Sequence, residues 1–257
     1  MQTVLKFGSN LAQGRWARVL PVVLLLCAWQ LLSLVLQSKT LPAPSAVLST
    51  LWQELSDGEL LFHLGMTLTR VAISFAAAML IGVALGILMG SSNTWDRLLD
   101  ALLILALNIP ALVTIILCYI WFGLTETAAV IAVTVNKIPM VAISLREGAR
   151  AVDKKLLQVA QVYRLSRRDT FFKVNLPQLM PYLFGSARNG LSIIWKIVLV
   201  VELLGRSNGV GFQIGNYFHF FDITGILAYS LAFALVVFCF EAVLLRPLEN
   251  HLNRWRT

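Results

Sequence analysis

Three polar side chains recur at helical spacing inside one of the apolar stretches of this sequence: Asn189, Ser192 and Lys196. Residues at positions i, i+3 and i+7 lie on one face of an α-helix, so the spacing predicts a single polar stripe. A charged side chain inside a membrane is costly to place there and is by default a candidate for function. We therefore expect the stripe to line a path for a polar solute, and the ammonium of Lys196 favours an anion.

Two further polar positions lie in other apolar stretches, Asn108 and Lys137. Both are candidates for the same path. An alternative stays open for each lysine. Lys196 could instead pair with a carboxylate or a backbone carbonyl, and Lys137 could extend its ammonium along the helix to the headgroups on the cytoplasmic side. For Glu126 and Glu202, near the opposite side, we expect capping or loop anchoring rather than contact with a solute.

The composition indicates a protein that crosses a membrane several times. Of the 257 residues, 58% are hydrophobic and only 13% are charged. Apolar stretches long enough to cross a hydrocarbon core of about 30 Å recur along the chain. In this setting the net charge of +8 marks loops on the cytoplasmic side and is no sign of nucleic-acid binding.

The hydropathy pattern predicts an all-α fold with six transmembrane helices. We place them at residues 19–36, 67–89, a stretch ending near 122, 127–145, 179–204 and 223–245. With the N-terminus inside, most of the 21 Lys and Arg residues fall on the cytoplasmic side, as the positive-inside rule requires. Both termini, residues 1–18 and 247–257, are then cytoplasmic. Residues 37–66 form an amphipathic periplasmic segment, and 67–246 form the core, which includes a cytoplasmic loop at 146–178.

The cytoplasmic loop is the most polar part of the chain. It holds eight of the 21 basic residues, between Arg146 and Lys173. Asp153 is placed to cap one short helix, and Ser166 with Asp169 resembles the start of a second helix that ends at Leu176-Pro177. On the first helix, Leu156, Leu157, Ala160 and Tyr163 lie at helical spacing. They form a predicted apolar ridge with basic flanks, and such a ridge is costly to expose to water. We expect the groove of a partner protein to cover it.

The loop resembles that of the permease subunits of ATP-binding-cassette importers, the binding-protein-dependent type I family. Their pattern is Glu-Ala-Ala, three residues, Gly, nine residues, Ile, one residue, Leu-Pro. This chain has Gln158-Val159-Ala160, Arg164, Val174 and Leu176-Pro177 at the same spacing. Ala160 and Leu-Pro are kept, whereas Gln158, Val159, Arg164 and Val174 differ from the pattern. LPAPSAVL, WFGLTET and VVELLGRSNGVG elsewhere in the chain look like the nitrate/sulfonate/taurine branch.

The resemblance implies a transport subunit and not an enzyme. It makes the loop a coupling helix that docks on an ATP-binding-cassette ATPase dimer, and we assign the coupling contacts as follows: Gln158, Val159, Ala160, Tyr163, Arg164, Leu176 and Pro177. It implies further partners: a second permease copy, a periplasmic or lipid-anchored substrate-binding protein, and the lipid of a bacterial inner membrane. No cofactor is expected in this chain, since ATP and Mg²⁺ bind the partner ATPase.

Other function classes lack their signatures in the sequence. A G-x-x-x-x-G-K-[ST] motif for ATP phosphates is absent, and so are the GxSxG and HExxH motifs of hydrolases. We find neither a Cys/His pattern for a metal nor any catalytic set. A secondary transporter or channel is the remaining alternative, although the internal repeats that it favours are not found.

Overall fold

The computed structural model describes residues 16–36, 38, 40–56, 58–245 and 247. These residues fold into α-helices joined by short turns. The helices, numbered in chain order, are α1 (Trp16–Leu36), α2 (Pro44–Ser56), α3 (Leu60–Ser91), α4 (Asn93–Asn108), α5 (Ala111–Phe122), α6 (Glu126–Arg150), α7 (Lys154–Val162), α8 (Arg167–Thr170), α9 (Leu176–Gly205), α10 (Val210–His219) and α11 (Ile223–Phe240). Two π-helical turns, Phe171–Asn175 and Glu241–Leu245, lead into α9 and extend α11.

A helix is found at each of the six predicted spans. Among the described residues, three helical stretches are long and apolar enough to cross a membrane: Leu60–Ser91, Glu126–Arg150 and Ile223–Val243. The α4–α5 pair makes a fourth if the two bent helices form one span. The first predicted span coincides with α1, of 21 residues, and the fifth with α9, of 30 residues. The predicted termini lie outside the described residues, except for 16–18, which begin α1, and 247.

The third span is broken rather than gently kinked. α4 and α5 meet at an angle of 98°. Pro110 has no N–H and disfavours the helical conformation in the residue before it, and Ile109 is accordingly extended, with φ −73° and ψ 122°. The carbonyl of Pro110 then accepts hydrogen bonds from the backbone N–H groups of Val113 and Thr114, in the first turn of α5. The break is therefore a local consequence of the sequence around Pro110.

A stripe of small residues brings α3 and α6 into close contact. Ala78, Gly82, Gly86 and Gly90 recur every four residues on α3, and a Cβ at Gly82 would lie 2.6 Å from Cβ of Val141. Gly86 and Gly90 meet α6 in the same way. Small residues at this spacing let helix backbones approach closely in lipid. This packing fixes α6, which leads directly into the polar loop that contains α7 and α8.

The core of the described part of the chain surrounds α9. Ile194, Val198 and Val201 on one face of α9 are completely buried. The ring of Trp195 meets that of Phe233 on α11 edge to face, with centroids 5.8 Å apart. One face of α9 is thus held by its neighbours, which leaves the other face for the polar stripe.

Candidate functional site

The first loop helix, α7, forms as predicted. Asp153 is its N-cap, and Oδ1 accepts a hydrogen bond from the backbone N–H of Lys155 at 2.8 Å. α6 ends at Arg150 only a few residues earlier, so the orientation of α7 depends on the end of a membrane-spanning helix. The cap supplies one of the partners that the free N–H groups of a helix start require.

The exposed apolar side of α7 is rotated relative to the predicted ridge. Ala160 is buried, with 3% of its surface exposed, so it packs within the loop. The apolar residues left in solvent are Leu156 (47% exposed), Val159 (50%), Val162 (80%) and Tyr163 (76%), and we call these four residues the apolar ridge. Gln158 and Arg164 are exposed beside it, Leu176 is half-buried and Pro177 is exposed.

Arg164 adopts the left-handed conformation that glycine would supply at this position of the family pattern. Its φ is +51°. Its N–H donates to the carbonyl of Gln161 and that of Leu165 donates to the carbonyl of Ala160, both at 2.9 Å. These two bonds are those of a Schellman motif, which commonly ends a helix. The turn is therefore kept without the glycine, at the cost of placing a side chain in a region that L-residues disfavour.

The prediction that the second loop helix ends at Leu176-Pro177 is wrong. Ser166 does cap α8, since its Oγ accepts from the backbone N–H of Asp169 at 3.0 Å. The chain then passes through the π-helical turn Phe171–Asn175 into α9 without leaving the helical conformation. Pro177 cannot donate a hydrogen bond, and the wider turn before it accommodates this loss, with the N–H of Leu176 bonded to the carbonyl of Phe171. The second half of the loop is therefore continuous in helical conformation with α9, the helix that carries the polar stripe.

Two salt-bridged arginines connect the loop side of α6 to α4. Arg146 Nη1 lies 2.5 Å from Asp100 Oδ1 and 3.4 Å from Asp96 Oδ1. Arg150, the last residue of α6, pairs with Asp96 as well. α4 begins three residues before Asp96, so the pairs join the start of the bent α4–α5 unit to the element that orients α7.

The polar stripe on α9 is present and exposed on this chain. Asn189, Ser192 and Lys196 all lie on the accessible side of the helix. None of the described residues forms an ion pair or hydrogen bond with the ammonium of Lys196, so the alternative of an internal carboxylate partner finds no support in the described part of the chain.

Lys137 and Asn108 lie apart from the stripe. Lys137 is 2% exposed, and its Nζ is 2.8 Å from the sulfur of Met140. Its Cε packs against Gly190 of α9, 3.1 Å from where a Cβ would stand, so its ammonium does not extend to headgroups in this structure. Asn108 is exposed at the end of α4, and its amide donates to the carbonyl of Ile104 at 2.7 Å.

A buried arginine organises the opposite end of the molecule, and the sequence analysis did not identify it. Arg70 on α3 is 3% exposed and makes two hydrogen bonds to Glu126, at 2.8 and 2.6 Å. Its Nη1 also donates to Glu202 Oε1 at 2.6 Å and to the carbonyl of Asn208 at 3.0 Å. We call these four residues the arginine cluster. It joins α3, α6, α9 and the turn before α10, and it confirms the anchoring role expected of Glu126 and Glu202.

Side chains from α3 and α9 hold the start of α10. Three consecutive backbone N–H groups are satisfied: Gly209 by His63 Nδ1 at 3.0 Å, Val210 by Thr67 Oγ1 at 2.9 Å, and Gly211 by Glu202 Oε2 at 2.9 Å. Free N–H groups at a helix start need such partners when buried. The pairing of an arginine in one span with a glutamate in another was the available signal, but their separation of 132 positions gave no local pattern to read.

The amphipathic helix α2 lies on this same end. Glu54 accepts hydrogen bonds from the hydroxyls of Tyr217 on α10 and Tyr229 on α11, each at 2.9 Å. Burial, together with the hydrogen bond to Glu54, raises the pKa of Tyr217. Two hydrogen bonds to Glu54 therefore attach α2, the predicted surface helix, to α10 and α11.

Comparison with known proteins identifies the family to which this chain is similar. Residues 78–246 match the family model described as the binding-protein-dependent transport system inner membrane component. The putative aliphatic sulfonates transport permease of Bacillus subtilis (strain 168) is 31% identical over 93% of this chain and 86% of its own length. The taurine transport system permease of Escherichia coli (strain K12) is 32% identical over 91% of this chain and 86% of its own.

Solved structures show the same fold. A chain of the MetNI methionine transporter superposes with a TM-score of 0.64 over 79% of this chain and 99% of that chain, at 18% identity. An amino acid ATP-binding-cassette transporter gives a TM-score of 0.62 over 75% and 93%, at 20% identity. The resemblance to the nitrate/sulfonate/taurine branch is confirmed. This chain belongs to the family of binding-protein-dependent transport system inner membrane components, and its role is transport rather than catalysis.

Proposed function

We propose that two copies of this chain form the translocation path of an importer for small anions, driven by a separate ATPase. The observation that carries the proposal is the α9 stripe of Asn189, Ser192 and Lys196, left exposed on a membrane-spanning helix. A lysine at the centre of a span costs about 3 kcal/mol on insertion scales when nothing compensates it. A second copy that faces the stripe across a water-filled path removes that cost.

Lys137 and Asn108 have indirect places in this path. Gly190 follows Asn189 on α9 and separates Lys137 from the stripe. The ammonium of Lys137 therefore acts on a passing anion through the electrostatic potential and not by contact, and such an interaction is stronger at a given distance in a poorly polarisable interior than in water. Asn108 reaches the path where the second copy brings the α4–α5 break towards the stripe.

The apolar ridge of α7 is the docking surface for the ATPase in this proposal. Its four side chains are exposed on a loop that also holds eight basic residues, which is unfavourable unless a groove covers the apolar side. A helix laid in a groove by residues at i, i+3 and i+7 is a common mode of recognition, and Leu156, Val159 and Tyr163 have that spacing. ATP and Mg²⁺ bind the partner, and a substrate-binding protein supplies the solute.

The solute class follows from the relatives and from Lys196 together. The relatives named above are permeases for aliphatic sulfonates and taurine. A third relative, 29% identical over 77% of this chain and 75% of its own length, is the nitrate import permease of Synechocystis sp.. These solutes share an oxyanion group. We place the protein in a bacterial inner membrane with both termini and the α7 loop in the cytoplasm. The distribution of Lys and Arg supports this orientation.

Neutralising the stripe tests the path. The permease is reconstituted in proteoliposomes with an ATP-binding-cassette ATPase that co-purifies with it and a substrate-binding protein from the same genome, and is supplied with taurine, butanesulfonate and nitrate. We expect Lys196→Gln to slow ATP-driven uptake of the transported anion at least about tenfold, equivalent to about 1.4 kcal/mol. Lys196→Arg should keep most of it. Both variants should retain assembly and basal ATP hydrolysis, and unchanged uptake by Lys196→Gln contradicts the proposal.

A further inference from the structure

A cavity of about 400 Å³ lies at the C-terminal end of α9, between that helix, the following turn and α10. Leu203 forms part of its wall and lies seven residues after Lys196, on the same face of α9. The cavity therefore continues the line of the polar stripe at the end opposite to the α7 loop. Nothing in the comparisons assigns a role to this place.

The lining of the cavity combines apolar and polar groups. Leu203, Phe212 and Gly215 are among its apolar residues, and Gly215 packs against the side chain of Leu203. Four polar groups also line it, and each can donate a hydrogen bond: the guanidinium of Arg206, the hydroxyl of Ser207, the amide of Asn216 and the imidazole of His219. No carboxylate is among the lining residues.

The nearby carboxylates already have their hydrogen-bond donors. Glu126 accepts from Arg70 with both oxygens and from Arg206 Nη2 at 2.7 Å. Glu202 accepts from Arg70 with one oxygen and from Thr67 and the N–H of Gly211 with the other.

The residues that line the cavity have hydrogen-bond donors without an acceptor. Arg206 Nη1 donates to the carbonyl of Leu124 at 2.5 Å, yet its Nε is buried and has no partner among the described residues. Asn216 uses one N–H of its amide on Gln213 Oε1, at 3.2 Å, and has a second to offer. A ligand that supplies acceptors is what this arrangement lacks, and buried donors without acceptors are costly.

We propose that the cavity is an entry site for an organic anion with a short apolar tail. The acidic group of the ligand contacts Asn216, His219 and Arg206, and the tail packs on Leu203 and Phe212. That this site is the first on the translocation path rests on the function proposed above. Binding of the anion does not rest on it, because the cavity is formed by one copy of the chain.

Protection of an introduced cysteine measures occupancy directly. Cys27, Cys118 and Cys239 are replaced by alanine in the complete transporter in nanodiscs, and Ser207→Cys is introduced at the rim. Labelling by a charged maleimide is timed with 1-butanesulfonate, methanesulfonate or butyltrimethylammonium present. Phe220→Cys is the matched control, since Phe220 is 83% exposed and is not part of the lining.

We expect butanesulfonate to slow labelling of Ser207→Cys by about threefold at a concentration about twice its Kd, because occupancy follows simple mass action. Methanesulfonate should need a higher concentration, and the cation should have no effect. Adding Asn216→Ala or His219→Ala should weaken the protection, and Phe220→Cys should label at the same rate throughout. The proposal is overturned by absent protection, by equal protection from butyltrimethylammonium, or by equal slowing at Phe220→Cys.

The outcome is separable from that of the proposed function. ATP-driven uptake without protection at Ser207→Cys removes the entry site and leaves the importer. Protection in a preparation that neither binds an ATPase nor takes up anions leaves the site and removes the importer.

Discussion

Replacing Gly86 by alanine tests the close contact between α3 and α6. A Cβ at Gly86 would stand 2.5 Å from the carbonyl oxygen of Ala142 and 2.6 Å from Cβ of Leu145, and the first of these belongs to the backbone. Ordinary contact begins near 3.4 Å, so the two helices must separate by about 1 Å. Gly65, on the same helix, has nothing within 4 Å of the place where a Cβ would stand, and it provides the matched control.

The two substitutions should differ in their effect on stability. Alanine has a helix propensity about 1 kcal/mol better than glycine, so Gly65→Ala should stabilise the protein by roughly that amount. Gly86→Ala gains the same propensity but incurs overpacking of about 1–3 kcal/mol, because both neighbours, Ala142 and Leu145, are fully buried. Gly86→Ala should therefore range from neutral to destabilising by about 2 kcal/mol, which is about 1–3 kcal/mol less stable than Gly65→Ala.

Thermal unfolding of the purified protein in one detergent, followed by intrinsic fluorescence, measures the difference. Gly86→Ala should unfold several degrees below Gly65→Ala. Equal or higher stability of Gly86→Ala would refute the inference that the small-residue stripe is needed for helix approach. The comparison between two glycines of one helix removes effects of composition and detergent that act on both variants alike.

Three further predictions concern the loop and its attachment. Arg164→Gly should stabilise the end of α7 by about 1 kcal/mol, because glycine adopts the left-handed conformation without strain, and slower amide exchange there would show it. Asp96→Asn or Arg150→Gln alone should weaken the coupling of ATP hydrolysis to uptake, and the double variant should lose no more than the larger single loss; fully additive losses would count against the salt bridge as a mechanical link. The hydrogen bond from Lys173 lowers the pKa of Asp169. The ionised carboxylate of Asp169 therefore stabilises the loop fully above the ordinary pKa of aspartate, and this stabilisation is lost as the pH falls through the lowered pKa. Pepsin should cleave Asp169→Asn faster than the parent protein at a pH near 4, and the ratio of the two rates should approach one at lower pH.

Local signals were sufficient for the elements of the fold. The apolar stretches located the spans, and Asp153 with the following residues located α7, because capping depends on neighbours in the chain. The face of α7 was less certain from sequence, since nine residues give little more than two turns on which to judge periodicity. Burial of Ala160 by the rest of the loop decided which side stays exposed.

Local sequence signals did not predict the long-range polar contacts or the continuation of the helix through Pro177. Arg70 and Glu202 meet because α3 and α9 pack together, and a single sequence carries no record of that packing. Leu176-Pro177 has the appearance of a helix end, yet the π-helical turn before it absorbs the missing N–H and the helix continues. The arginine cluster and the cavity beside it are therefore results of the tertiary structure.

Binding of the ATPase to the apolar ridge is the most direct test of the proposed energy source, because it requires no knowledge of the solute. ATP-binding-cassette ATPases from the same genome are titrated onto the permease in nanodiscs, comparing Val159→Asp with Gln161→Ala, an exposed position on the opposite side of α7. We predict that Val159→Asp weakens binding at least about tenfold, or about 1.4 kcal/mol, and that Gln161→Ala leaves the Kd unchanged. Equal affinity of both variants, or no binding to the parent permease, would contradict the claim that this chain takes its energy from an ATPase through α7.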